Sequence, residues 1–76
     1  MPRYEITLAN AAFRSHAEHE FDDDAHAIGD AIRGAIGVGS DEVCGGEALF
    51  IAEITISRDG KAIARRAVAI GSSSLS

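Results

Sequence analysis

One cysteine, one proline, one tyrosine and three phenylalanines occur in the 76 residues, and tryptophan is missing altogether. A single thiol, Cys44, closes no internal disulfide, so the chain has no covalent cross-link to stabilise it and a reducing, cytoplasmic setting is expected. Four aromatic rings give little bulk, and 14 of the 35 hydrophobic residues are alanine, so the core is built mainly from Ala and Ile and is thin. No apolar run approaches the roughly 18 residues of a membrane-crossing helix, so no membrane partner is expected. The opening Met1-Pro2-Arg3-Tyr4-Glu5 lacks the basic-then-apolar layout of an export signal.

The remaining composition is that of a globular chain: 46% hydrophobic, 25% charged, seven basic against twelve acidic residues, net −5. The length allows one small domain over residues 1–71, with a polar tail, residues 72–76, expected to fray. Folded alone, such a chain should expose about 4,400 Å². With so light a core, burial against a second copy is the expected remedy, and a homodimer follows. Charge is unevenly placed: residues 1–57 carry 3 basic and 11 acidic side chains, residues 58–76 carry 4 and 1. Such asymmetry can steer one region of a chain toward the opposite region of another.

Period-two alternation places Tyr4, Ile6 and Leu8 on one side of a first strand. After a break at Ala9-Asn10-Ala11, Phe13, Ser15, Ala17, His19 and Phe21 share one face of a second strand, and Arg14, His16, Glu18 and Glu20 the other. The two strands should form a hairpin in which Asn10 takes up the left-handed geometry of the turn. Asp22-Asp23-Asp24 supplies carboxylates where a helix begins. Ala25, Ile28, Ala31, Ile32, Ala35 and Ile36 then recur at helical spacing, predicting one helix over 24–37. Gly29 and Gly34 lie inside it, each costing up to about 1 kcal/mol relative to Ala, which points to a weak helix or to close approach of another backbone. Gly37 and Gly39 read as terminators, and Ser40 to Glu47 as a loop.

Ala48 to Ser57 and Lys61 to Ile70 are β-rich and flank Arg58-Asp59-Gly60-Lys61, whose Asp-Gly pair favours a two-residue type I′ hairpin. Counting outward from that turn pairs Ile56 with Ile63, Glu53 with Arg66, Ile51 with Val68 and Leu49 with Ile70. Leu49, Ile51, Val68 and Ile70 then fall together on the sheet face away from the helix, where polar residues belong. Either a bulge near Arg65-Arg66 re-aims strand four, or a second subunit covers that face, making these four residues a self-association surface. The fold expected is α+β: ββαββ, a four-stranded mainly antiparallel sheet with one helix on one face.

With these segments placed, the chain resembles a family of short bacterial proteins of unassigned function. Its members open Met-Pro-Arg-Tyr or Met-Pro-Arg-Phe and run through a hairpin into an acidic helix start and an Ala-rich helix. They end in a strand, an Asp-Gly turn and a strand. The matching pieces are Met1-Pro2-Arg3-Tyr4, Glu20-Phe21-Asp22 and Ile54 through Lys61. The first turn, Ala9-Asn10-Ala11-Ala12, differs from the Asp/Gly-rich turn usual there. The resemblance implies the ββαββ fold and assigns no catalytic residue.

The chemistry-bearing residues have ordinary explanations. His16, Glu18 and Glu20 could ligate a divalent metal, but on one strand face they span about 13 Å, too far for one ion, so no metal site is assigned. His19 reads as a boundary residue. His26 sits among carboxylates that favour its charged form while the helix dipole opposes it. The Asp22 to Asp24 run lacks the spacing of a calcium loop. Cys44 has acidic neighbours, Asp41 and Glu42, which oppose a reactive thiolate, so no nucleophile is assigned. Gly37-Val38-Gly39 and Cys44-Gly45-Gly46 lie in the wrong context for a dinucleotide loop, and no cofactor is expected. Arg58, Lys61, Arg65 and Arg66 form the one basic cluster, yet the negative net charge and few aromatics disfavour nucleic acid. The functional expectation is a non-enzymatic, self-associating module. Its alternatives are a small-ligand or metal-binding protein using His16, Glu18 and Glu20, and a regulatory module contacting nucleic acid through the 58–66 hairpin.

Overall fold

A computed structural model describes residues 1–75; the last residue of the expected tail, Ser76, lies outside the described residues. Strands β1 (Arg3–Ala9) and β2 (Arg14–Glu20) form the first hairpin, α1 (Asp24–Cys44) follows, and β3 (Leu49–Arg58) and β4 (Lys61–Gly71) form the second. All neighbouring strands are antiparallel, in the order β2-β1-β3-β4, and α1 lies across one face. This is the α+β, ββαββ arrangement that the alternation and helical spacing predict.

The first turn is closed by a side chain. Asn10 Oδ1 accepts from the backbone N–H of Ala12 at 2.8 Å and of Phe13 at 2.9 Å, and the Asn10 N–H donates to the Phe13 carbonyl at 2.9 Å. Asn10 therefore works through its side-chain acceptor and not, as expected, through a left-handed backbone; Asp59 is the one non-glycine residue with positive φ among those described. In the second hairpin Asp59 and Gly60 have φ of 53° and 78°, and Arg58 faces Lys61, as a type I′ turn requires.

The helix runs seven residues past its expected end. Gly37 and Gly39 do not stop it, and residues 40–44, expected in a loop, are helical. The reason at Gly39 is close packing: a Cβ there would lie 2.6 Å from Phe50 Cδ2 and 2.7 Å from Ile70 Cδ1. Gly45 is the true C-cap, its N–H donating to the Asp41 carbonyl at 2.9 Å, and Gly46, with φ of 119°, turns the chain away. At the other end Asp23 caps the helix, accepting the His26 N–H at 2.8 Å.

The buried stripe of α1 is Ala27, Ala31, Ala35 and Gly39, one residue every four. The larger residues expected to line it lie on its flank: Ile28 and Ile32 are half-buried and Ile36 is exposed. Bulk comes from the sheet instead, where Tyr4, Phe50, Ile54 and Ile56 are buried, so the helix must offer small side chains to approach them. Gly29, Gly34 and Gly37 have open space where a Cβ would be. No residue of the chain itself needs them small.

The register of β3 and β4 shifts by one between Ile56 and Ser57, so that Ile63 is an extra residue in β4. Beyond this bulge Ala52 faces Val68, Ile51 faces Ala69, Phe50 faces Ile70 and Leu49 faces Gly71. The expected pairs Ile56 with Ile63, Glu53 with Arg66, Ile51 with Val68 and Leu49 with Ile70 do not form. Because side chains alternate along a strand, the shift carries Val68 and Ile70 beneath α1 and leaves Leu49 and Ile51 on the open face. The bulge lies two residues nearer the turn than expected, and the four residues do not share one surface.

Candidate functional site

Two stretches of apolar surface remain uncovered, one on each side of the sheet. On the open face, Leu49 and Ile51 are 58% and 55% exposed beside Ala67 and Ala69. The Glu53–Arg65 ion pair bounds this patch and holds the Arg65 guanidinium more firmly charged. Further along, the same face is polar: Arg3 reaches Glu18 at 3.4 Å, and Thr7 Oγ1 lies 3.3 Å from His16 Nδ1. Two aliphatic side chains half in water amount to about 200 Å², less than the largest patch on an ordinary monomer.

The second stretch is on the helix side. α1 packs over β3 and β4 and meets β1 only at its margin. Every residue of β2 is exposed, including the side that should face a core. Between the helix and the first hairpin lies an open trough of about 350 Å³. Its floor is Ile6, Leu8, Phe13 and Ala17, its helical wall includes Gly34 and Val38, and Ser15, His19 and Asp30 stand along it. The sequence assigns Ile6, Leu8, Phe13 and Ala17 to the inner face; alternation alone does not reveal that no helix reaches half of them.

The residues weighed for chemistry are engaged in local structure. His16 is paired with Thr7 and Glu18 with Arg3, and no group of three or more His, Cys, Asp or Glu side chains that could hold a metal ion occurs among the described residues. Asp24 Oδ1 accepts from Tyr4 Oη and from Arg58 Nη1, each at 2.6 Å, tying the helix start to β1 and β3. The Asp24 bond, then burial, raises the Tyr4 hydroxyl above its ordinary pKa. Its bond to Tyr4, then the Asp24 charge, raises Arg58. Arg58 is thus occupied at the tip of the basic hairpin, and Arg65 is occupied by Glu53. Asp23 Oδ1 also lies 2.7 Å from His26 Nδ1. The two hydrogen bonds from His26, backbone first, lower the Asp23 carboxyl, while the Asp23 bond and charge raise His26. Cys44 is exposed in the last turn of α1, not in a loop. His19 packs edge-on against Phe21 at 6.1 Å beside the trough.

Compared with protein-family models, curated proteins and solved structures, the chain matches none.

Proposed function

We propose that the chain acts by associating with a second copy of itself, as a non-enzymatic homodimeric module. The observation that carries this reading is the partial cover of the sheet. One helix is about 10 Å wide and four strands at about 4.8 Å spacing are about 19 Å wide, so a single helix leaves half of one face bare. In this chain the bare half holds half-buried Ile6 and Phe13, and Leu49 and Ile51 add uncovered apolar surface on the opposite face of β3. The surface of 5062 Å² exceeds the about 4,400 Å² expected for this mass, and the radius of gyration of 13.7 Å exceeds the about 11 Å of a compact chain of this length.

The polar groups support a binding role over a catalytic one, because the histidines and carboxylates best placed for chemistry serve as caps and cross-strand ties. Sedimentation equilibrium between about 1 and 100 μM tests the reading, since a dimer of ordinary strength is populated in that range. The expected mass is twice the 7.9 kDa of one chain. A chain that keeps the mass of one copy throughout contradicts it.

A further inference from the structure

We infer that the second copy docks on the helix side, its own α1 lying in the trough between α1 and the β1–β2 hairpin. The inference rests on the self-association proposed above and names the surface used. The helix side has two levels: α1 stands as a ridge over β3 and β4, and the β2–β1 half lies one layer lower. A half-turn about an axis parallel to the strands brings the ridge of one copy over the trough of the other, and the reverse. The surface is therefore complementary to itself, as a two-fold interface requires.

The dimensions agree. The trough spans two strands, about 10 Å, which is the width of one helix. With a helix about 31 Å long over strands about 19 Å across, the stepped face is about 600 Å² in projection and larger once its relief is counted. That approaches the about 800 Å² each partner contributes to a stable interface, whereas the Leu49 and Ile51 patch falls well short of it. The helical wall supplies the close approach. Gly34 lines the trough with open space at its Cβ position, so a neighbouring helix can come near its backbone without displacing any side chain of the chain itself. The Asp30 carboxylates of the two copies then lie on facing flanks, each with Arg33 of its own chain 3.8 Å away.

Gly34→Leu separates this interface from every other. The space is free in one copy and leucine favours helix over glycine, so the single chain should keep its circular-dichroism spectrum and hold or raise its Tm at dilution. The dimer Kd should rise about tenfold or more, because the added side chain fills the approach. Gly34→Ala should act in the same direction more weakly, and Ala17→Glu, on the trough floor, should weaken association through a buried charge. The open-face pair Leu49→Glu and Ile51→Glu should leave Kd unchanged. If that pair gives monomer while Gly34→Leu and Ala17→Glu keep the original Kd, the helix-side interface is overturned and self-association stands. Should the unaltered chain be monomeric at about 100 μM, both fall. A single chain carrying a retained small molecule in native mass spectrometry would make the trough a ligand cleft and overturn the second copy as its occupant.

Discussion

The two hairpins of this chain use the same kind of alternation and end in different states. In β3, beneath α1, Phe50, Ala52, Ile54 and Ile56 are buried. In β2, at the far edge, Ser15, Ala17 and His19 point to the same side of the sheet and all are exposed. The difference comes from which strands the helix reaches. α1 connects β2 to β3, yet it lies mainly over β3 and β4, and its start is fixed at the β1–β3 seam by Asp24 bonding Tyr4 of β1 and Arg58 of β3. A strand pattern thus specifies which side is inner, while cover depends on the number and placement of the elements above it.

The largest test of this contrast is truncation in the two halves. Ile54→Ala, fully buried under the helix, should cost about 3 kcal/mol in urea unfolding, whereas Ile6→Ala, half-buried at the margin, should cost about 1 kcal/mol. Equal losses would mean that the first hairpin is as well covered as the second. Next come the helix glycines. Gly39→Ala, whose Cβ would overlap Phe50 and Ile70, should lose about 1 to 3 kcal/mol despite the better helix propensity of alanine. Gly34→Ala, facing open space, should gain up to about 1 kcal/mol when measured on the dilute single chain. A shared sign would remove the distinction between a tight and a free flank of α1.

The smallest effect concerns pH and the helix start. Asp23 is lowered from its ordinary 3.8, so its contribution is present above that value and is lost as pH falls through its folded pKa. His26 is raised from 6.5, so its contribution is full below 6.5 and disappears as pH rises through its folded pKa. First-turn amides of α1 should exchange most slowly between about pH 4 and 6.5 after correction for intrinsic rates, with the advantage fading in high salt because both side chains are exposed. A flat profile across that window, or protection that keeps rising above it, would detach the pair from helix stability.

Much of the fold is legible in the residues. Alternation marks β1 and β2, β-rich composition on either side of Asp59-Gly60 marks β3, β4 and the turn between them, and the Asp22 to Asp24 run marks the helix start. The helix end is less legible, because Gly39 reads locally as a stop and only Phe50 and Ile70, distant in sequence, make it an interior packing position. The buried stripe is misread for a related reason. Isoleucine outranks alanine by hydrophobicity, but the sheet already supplies the bulk and leaves room for Ala27, Ala31 and Ala35. The surplus of apolar residues around Leu49 and Val68 signals either a covered second face or a bulge near Arg65-Arg66, and the bulge lies at Ile63, two residues away. The candidate site is the least legible part, since the trough is defined by where α1 is absent.

The extra residue at Ile63 makes β4 sensitive to parity. Removing one residue between Gly60 and Val68 is absorbed by closing the bulge, which keeps Val68 opposite Ala52 and Ile70 opposite Phe50, whereas adding one there would put Val68 and Ile70 into water and turn Ala67 and Ala69 toward the helix. Removing two would preserve orientation while shortening the strand. Along this segment the chain should therefore tolerate many changes of side chain, and loss of the one extra residue, more readily than a single-codon insertion.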